Sequence, residues 1–288
     1  MTTPRISFEF FPPQTLDASF RLWETAQLLA PLKPNFVSVT YGAGGTTRQL
    51  THEAVTAIGG HYGLNVAAHL TCVDATRAET LEIADAYADA GVHDIVALRG
   101  DAPKGSESFT PHPEGFANSV ELIEALANTG RFNIRVGAYP EAHPEATDLA
   151  ANVAWLKRKI DAGASSAITQ FFFEAETFFR FRDACVKAGI DAPIIPGILP
   201  ITSWQGAKRF SERCGAQVPG WLDDAFTNAL RDGREELLAI SVATELCDDL
   251  IQGGVEDLHF YTLNRPNLTR DICFALGIAP EVSLQNVA

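Results

Sequence analysis

Eight short segments rich in β-branched and aromatic residues recur along the chain, and stretches with helical periodicity separate them. Successive segments begin about 30 residues apart, the length of one βα unit, except for a longer interval before the last. Strands that alternate with helices predict a parallel sheet of the α/β class. The predicted strands are residues 6–11, 36–42, 65–72, 94–101, 133–140, 166–173, 193–200 and 257–264.

Eight such units predict a (β/α)8 TIM barrel with extra helices before the last strand, in residues 202–251. Predicted helices include 78–90, 117–127 and 148–162, and glycines at 91, 163, 189 and 254 fit left-handed helix ends. No linker or charge block divides the chain, so we expect one catalytic domain over residues 1–288. A Rossmann sheet is the competing fold, but no G-x-G-x-x-G motif follows a predicted strand.

Composition excludes several classes of protein. The chain has 22 Lys+Arg against 36 Asp+Glu, a net charge of -14, which argues against a partner that is nucleic acid or an anionic membrane. Five cysteines without a C-x-x-C pair favour reduced thiols in the cytoplasm over disulfides or a zinc site. We therefore expect a cytoplasmic protein with no bound metal, in which a few local cations hold any anionic ligand.

Alternate residues of a barrel strand face the lumen, so each predicted strand divides into two faces. On seven strands one face carries polar side chains toward the carboxyl end, where the active site of a (β/α)8 barrel lies. A purely structural lumen would carry branched aliphatic residues there. The sets assigned to the lumen are Ser7 and Glu9; Ser38 and Thr40; Ala67, His69 and Thr71; Ala97, Arg99 and Asp101; Arg135, Gly137 and Tyr139; Ile168, Gln170 and Phe172; and His259, Tyr261 and Leu263.

Individual residues of these sets remain open to structural readings. Glu9 fits either a general acid in an aromatic-lined mouth or the buried partner of an arginine, and Asp101 fits either catalysis or a loop cap. His69 alone fits a core histidine. No lysine lies at a strand end for Schiff-base chemistry, and H-E-x-x-H and G-x-S-x-G motifs are absent. Proton transfer assisted by a bound cofactor is the chemistry that remains.

Eight motifs, in order along nearly the whole chain, make the reading specific. They are FEFFPP (8–13), SVTYG (38–42), HLTC (69–72), LRGD (98–101), AYPEAHPE (138–145), TQFFF (169–173), PGILP (196–200) and FYTLNR (260–265). In these motifs the chain resembles the 5,10-methylenetetrahydrofolate reductase family in its short bacterial form. The resemblance implies an oxidoreductase of one-carbon and methionine metabolism that binds FAD non-covalently. Hydride would pass from NADH or NADPH to the flavin, and then to methylenetetrahydrofolate to give 5-methyltetrahydrofolate.

The resemblance also implies roles for individual residues. Glu9 matches the general acid that promotes ring opening at N10 of the folate, and Asp101 matches the carboxylate near flavin and pterin. Substrate-binding positions match Gln170, Phe210, Tyr261 and Arg265. Positions that bind FAD match Thr40, His69, Arg99, Gly100, Asp101, Phe116, Tyr139, His143, Glu145, Asn152 and Lys159.

Two of these positions depart from the family pattern: Phe116 stands where many members have Tyr, and Asn152 where Asp is common. The resemblance further implies a homo-oligomer. A pterin-binding methyltransferase barrel without flavin is the alternative function, and a folate-binding member without turnover is a third. Purified protein with a flavin spectrum would distinguish the first reading from the other two.

Overall fold

The computed structural model describes residues 3–41, 48–101, 109–141 and 146–280. Nine parallel strands form one sheet in the order β7-β6-β5-β4-β3-β2-β1-β9-β8. Helices alternate with the strands, as the sequence predicts for a TIM barrel. The strands are β1 (Arg5–Phe10), β2 (Phe36–Val39), β3 (Val66–Thr71), β4 (Asp94–Leu98), β5 (Asn133–Ala138), β6 (Ser166–Thr169), β7 (Ile194–Ile195), β8 (Gly197–Ile198) and β9 (Asp257–Tyr261).

The seventh predicted strand, residues 193–200, is two short strands rather than one. Pro196 lies between them and lacks the N–H that a continuous ladder needs. β7 pairs with β6, and β8 pairs with β9. The Pro196 carbonyl still accepts a hydrogen bond from the His259 N–H at 3.0 Å. The segment therefore closes the ring of strands as a barrel, with a break at the proline.

Helices cover the outside of the barrel, and the predicted ones at 78–90, 117–127 and 148–162 are confirmed within two residues at each end. The long interval before the last strand contains three helices, α7 to α9, as its length predicted. The helices are α1 (Leu16–Leu29), α2 (Arg48–Tyr62), α3 (Arg77–Asp89), α4 (Ser119–Asn128), α5 (Leu149–Asp161), α6 (Ala175–Lys187), α7 (Trp204–Cys214), α8 (Gly220–Arg231), α9 (Glu235–Gln252) and α10 (Pro266–Ala275). No helix in the described ranges is long and apolar enough to span a membrane.

Side-chain alternation along the strands separates an outer apolar layer from the lumen. Phe8, Val37 and Ile95 belong to the large cluster between strands and helices. A second, small apolar cluster lies within the lumen and includes Phe36 and Val96. Polar side chains occupy much of the remaining lumen. They lie in line with the carboxyl ends of the strands, and we call this end of the barrel the mouth.

The predicted alternation is wrong along β4 and beyond the ends of β6 and β9. Register pairs Val96 with His69 across β3 and β4, so Val96 faces the lumen and Ala97 packs outward. Phe172 also packs outward, stacked on Phe178 of α6, and Leu263 has a left-handed backbone, φ 51. Beyond β6 and β9 the regular strand has ended, so period-two counting does not apply to Phe172 and Leu263. On β4 the alternation itself holds, and the prediction assigned the wrong face to the lumen.

Candidate active site

Glu9 lies near the end of β1 between two buried imidazoles. Its Oε2 is 3.5 Å from Nε2 of His69 on β3 and 4.0 Å from Nε2 of His259 on β9. Burial lowers the pKa of His69, against the attraction of Glu9, so this imidazole is neutral at pH 7. The sequence assigned His69 to flavin binding, whereas its nearest ionisable neighbour here is the candidate acid. The arrangement can hold and direct one proton at the carboxyl group.

The chain after β9 fixes the backbone that carries Glu9. The Thr262 hydroxyl donates to the Glu9 carbonyl at 2.6 Å. The side-chain amide of Asn264 donates to the Phe11 carbonyl at 2.9 Å and accepts from the Phe11 N–H at 3.0 Å. Asn264 has φ 51, a left-handed conformation that asparagine tolerates better than most residues. Thr262 and Asn264 of the last motif therefore position the backbone of the first motif.

Tyr261, also on β9, fits the mouth only because residue 197 is glycine. Its hydroxyl donates to the Thr169 carbonyl at 2.6 Å. A Cβ at Gly197 would lie 2.2 Å from that carbonyl oxygen and 2.5 Å from the Tyr261 ring. Burial, followed by the charge of Glu9, raises the pKa of Tyr261 well above its ordinary value. The ring is a fixed, neutral wall beside Glu9.

The extra helix α7 contributes one side of the mouth. Phe210 is half-buried, with its ring 5.0 Å from that of Phe171. Cys214, in the last turn of α7, lies within electrostatic range of Asp101: burial first, and Asp101 as a lesser cause, raise the pKa of the thiol to about 11. Cys214 in turn contributes to the raised pKa of Tyr261. Asp101 itself is exposed, so the carboxylate lies at the rim while Glu9 lies deeper.

A cavity of about 490 Å³, called the side cavity below, opens between the ends of β4 and β5 and helix α5. Lys159 of α5 is its most unusual residue: the side chain is buried, and Nζ donates to the Gly137 carbonyl at 2.8 Å. Burial, with the Arg99 charge as a second cause, lowers the pKa of Lys159 from 10.5 to about 8. Among the described residues no carboxylate is paired with this ammonium, so the side cavity offers a buried positive charge to an anionic ligand.

Other predicted FAD residues also line the side cavity. Gly100 has φ 88, and a Cβ there would lie 2.5 Å from Val73, so backbone rather than side chain approaches the cavity at this point. The side-chain amide of Asn152 donates to the Glu141 carbonyl at 2.8 Å. The predicted residues that line the side cavity are Arg99, Gly100, Asp101, Tyr139, Asn152 and Lys159.

The other five predicted FAD residues are His69, described above beside Glu9, two residues that lie away from the side cavity, and two that lie outside the described residues. Phe116 is buried at 1% exposure with its ring 4.8 Å from the Arg77 guanidinium, and it does not line the side cavity because it packs in the outer apolar layer. Thr40 is half-buried after β2, with its N–H bonded to the Phe10 carbonyl. His143 and Glu145 lie outside the described residues.

The predicted substrate residues separate into two groups. Gln170 follows β6, where its side-chain oxygen accepts the Phe171 N–H, and with Phe210 and Tyr261 it lies around the mouth. Arg265 is exposed and lies outward from them, donating to the Thr202 hydroxyl at 3.1 Å. It lines a separate surface cavity of about 600 Å³. Arg265 therefore lies away from the other three predicted substrate residues.

Sequence reasoning missed several residues that build the site. The roles of Gly197, Thr262 and Asn264 depend on contacts between residues far apart in the chain, although all three lie in motifs that the sequence singled out. Cys214 was read only as one of five thiols. No group of three or more His, Cys, Asp or Glu within the described ranges could hold a metal ion.

Comparisons with known proteins show the family to which the chain belongs. A model of the methylenetetrahydrofolate reductase family matches residues 2–277. The 5,10-methylenetetrahydrofolate reductases of Salmonella typhimurium and Escherichia coli are each 46% identical to the chain, over 96% of its length and 91% of theirs. Among solved structures, a Clostridium thermocellum protein described as binding two copies of 5-methyl-5,6,7,8-tetrahydrofolic acid has a TM-score of 0.59 at 14% identity. It covers 96% of this chain and 95% of that one, which supports the fold alone.

Proposed function

The chain belongs to the methylenetetrahydrofolate reductase family, and we propose that it converts 5,10-methylenetetrahydrofolate to 5-methyltetrahydrofolate with NADH or NADPH as hydride donor and non-covalent FAD as carrier. The activity follows from relatives that carry this name at 46% identity over nearly the whole chain. The alternative of a flavin-free methyltransferase has no comparable support.

One observation carries the cofactor proposal: Lys159 holds a buried ammonium beside the mouth without a paired carboxylate among the described residues. A buried charge is costly unless a counter-charge meets it. A dinucleotide pyrophosphate is such a counter-charge, and Arg99 lines the same side cavity. The residues present thus fit FAD despite the net charge of -14. FAD, when bound, supplies the two-electron relay between nicotinamide and folate.

The side cavity and Glu9 are neighbours, as a reductase requires. Tyr139 lines the side cavity, and its proximity contributes to the raised pKa of Tyr261, which lies beside Glu9. Arg99, Gly100, Tyr139, Asn152 and Lys159 are the described residues that we propose to hold the cofactor. Asn152 also ties the loop after β5 to α5 through its amide N–H, which an aspartate side chain could not donate.

In this proposal Glu9 is the general acid. Its carboxyl group donates a proton to N10 of the folate, which opens the five-membered ring and leaves an iminium that accepts hydride. Tyr261 and Phe210 exclude water from the mouth, and Gln170 hydrogen-bonds the pterin edge. Asp101 at the rim favours the cationic iminium through its negative charge. Arg265, which lies outward, contacts the anionic tail of the substrate.

An anaerobic experiment tests the proposal. Purified protein should show a flavin absorption spectrum that NADH or NADPH bleaches, and added methylenetetrahydrofolate should restore it. Running both nucleotides side by side determines which donor the protein prefers. Colourless protein that neither binds added FAD nor is reduced by either nucleotide would contradict the proposal.

Two accompanying proposals concern the state of the protein. We propose a cytoplasmic location, which five free cysteines support because thiols stay reduced there. We also propose a homo-oligomer, supported by two exposed apolar side chains one turn apart on α1: Leu16 is 72% and Phe20 65% exposed. Light scattering of the purified protein measures the assembly, and a monomeric mass would contradict it.

A further inference from the structure

Two lumen residues beneath Glu9 have no part in the proposed reaction. His259 is fully buried, and its Nε2 has no hydrogen-bond partner, although Glu9 Oε2 is the ionisable oxygen nearest to it, at 4.0 Å. On the other side of the ring, Nδ1 is 2.8 Å from the Ser7 hydroxyl. That hydroxyl is also 3.2 Å from the Leu258 carbonyl oxygen. An unpartnered buried nitrogen facing the candidate acid requires a physical explanation.

The two contacts of Ser7 decide where the imidazole proton lies. A carbonyl oxygen only accepts, so the Ser7 O–H donates to Leu258, and the Ser7 oxygen then accepts from Nδ1–H of His259. If the hydroxyl donated to Nδ1 instead, it would make no hydrogen bond to the Leu258 carbonyl oxygen 3.2 Å away. The Nδ1–H tautomer satisfies both contacts, and it leaves a lone pair on Nε2 directed toward Glu9.

A lone pair on Nε2 of His259 interacts differently with the protonated carboxyl group of Glu9 and with its carboxylate. Protonated Glu9 can donate to Nε2 after a small rotation, because 4.0 Å is about one ångström longer than a hydrogen bond. The carboxylate would instead face a lone pair across a buried space. The same Oε2 lies 3.5 Å from His69, and a carboxyl O–H can accept from one imidazole while it donates to the other.

We propose that Ser7 and His259 are positioning residues that keep Glu9 in the protonated form needed for folate reduction. The inference rests on the proposed function, because it takes Glu9 to be the general acid. A donor chain runs from Glu9 through His259 and Ser7 to the Leu258 carbonyl. In the Nδ1–H tautomer, Nε2 of His259 gains a hydrogen-bond partner when Glu9 holds its proton.

The other titratable and charged groups around the Glu9–His259–Ser7 series come from four strands. His69 on β3 is neutral, since burial lowers its pKa, and Tyr261 on β9 is neutral because its pKa is raised. Arg135 on β5 lies 3.9 Å above the Phe36 ring, which stacks on His259. It is paired with Asp94 on β4 at 2.9 Å. The arginine charge is thus largely neutralised, and Ser7 remains the group that selects the tautomer.

The pH dependence of the folate half-reaction tests the proposed roles of Ser7 and His259. In Ser7→Ala, His259 is free to carry its proton on Nε2 and to stabilise the Glu9 carboxylate. The pH profile of flavin reoxidation by methylenetetrahydrofolate should then shift its alkaline limb about one pH unit lower. Reoxidation rates at pH values above the limb should be about tenfold lower than in the wild type. Reduction of the flavin by NADH should be unchanged. Ser7→Thr retains the hydroxyl and should restore the limb. Ser166→Ala is the matched control, because Ser166 is a buried lumen serine bonded to Arg135 instead of a histidine.

The tautomer itself can be measured on the wild-type holoenzyme without turnover. Two-bond nitrogen–proton correlation spectra of histidine-labelled protein, assigned with His259→Gln, should show a protonated Nδ1 and an unprotonated Nε2 at His259. A protonated Nε2 in the wild type, or an alkaline limb that stays in place or moves upward in Ser7→Ala, would overturn the inference. Failure of the proposed function is distinct, since wild-type flavin would then not be reoxidised by methylenetetrahydrofolate at any pH.

Discussion

Replacing Lys159 by Met separates the stability of the protein from its capacity to bind a cofactor. Lys159 is buried in α5, its Nζ is bonded to the Gly137 carbonyl, and its charge faces the side cavity. Methionine has a similar length and no charge, so it fills the same space. We expect Lys159→Met to stabilise the FAD-free protein and to weaken FAD binding.

The magnitude follows from the lowered pKa. The pKa of Lys159 falls from 10.5 to about 8, which corresponds to ~3 kcal/mol of unfavourable burial at about 1.36 kcal/mol per pKa unit. The variant loses the hydrogen bond to Gly137, at a cost of about 1 kcal/mol. The net gain in free energy of unfolding at pH 7 is therefore about 2 kcal/mol. One charged hydrogen bond to an anion contributes about 1.5–3 kcal/mol, so the FAD dissociation constant should rise roughly tenfold to a hundredfold.

The sign of the pH dependence gives an independent check. Because the folded pKa lies below the unfolded one, the folded protein releases the Lys159 proton near pH 8, while the unfolded chain keeps it to pH 10.5. Stability of the wild type relative to Lys159→Met should therefore rise with pH through this window. The advantage of the variant is largest at pH 7 and declines toward pH 10.5.

Urea unfolding of the FAD-free proteins and FAD titration by fluorescence quenching measure both effects. Lys157→Met is the matched control: Lys157 lies on the same helix, two residues earlier, where it pairs with Asp161 at the surface. It should lose at most about 0.5 kcal/mol and leave FAD affinity unchanged. A Lys159→Met protein that is less stable at pH 7 and binds FAD as tightly as the wild type would refute the reasoning.

Three further predictions concern the mouth. Gly197→Ala places a Cβ 2.2 Å from the Thr169 carbonyl oxygen and should cost about 2–4 kcal/mol in urea unfolding through overpacking and a broken hydrogen bond. Asn264→Ala removes both amide bonds to the Phe11 backbone. It should cost about 2 kcal/mol and slow folate reduction more than flavin reduction by NADH in stopped-flow assays. Asp101→Asn should slow the folate half-reaction more than the nicotinamide half-reaction, because in the proposed mechanism the Asp101 charge favours the iminium.

Each of these has a control or a contrary outcome. Gly60→Ala, in an open position of α2 with nothing within 4 Å of the new Cβ, should stabilise by about 0.5–1 kcal/mol. A Gly197→Ala protein as stable as Gly60→Ala would contradict the packing argument. Equal slowing of both half-reactions in Asn264→Ala would indicate a general loss of structure. Selective loss of NADH oxidation in Asp101→Asn would count against its role.

The sequence predicted the barrel because its determinants are local. Strand and helix periodicities, and glycines such as Gly91 and Gly163 with positive φ at helix ends, depend on neighbours along the chain. The predicted strands were too long at the mouth, where β4 ends at Leu98 and β9 at Tyr261. The residues beyond these ends lie at the mouth and have no ladder partners. The alternation of side chains therefore cannot be extrapolated past the last paired residue.

The sequence predicted which residues lie around the mouth, but not which side chains contact each other there. Glu9, Gln170 and Tyr261 lie around the mouth as expected. That His69 approaches Glu9 rather than the side cavity follows from the register of neighbouring strands, which no single segment encodes. Phe116 packs in the outer apolar layer, next in sequence to residues 117–119 that line the side cavity, and its assignment to FAD binding stays a prediction.

The most direct test of the account is single-turnover kinetics of Glu9→Gln. Glutamine keeps the size and hydrogen-bonding capacity of the side chain but cannot release a proton in catalysis. Reduction of the bound flavin by NADH should proceed at the wild-type rate, whereas its reoxidation by methylenetetrahydrofolate should be abolished. Wild-type reoxidation in Glu9→Gln, or equal loss of both half-reactions, would contradict the assignment of Glu9 as the acid of a folate reductase.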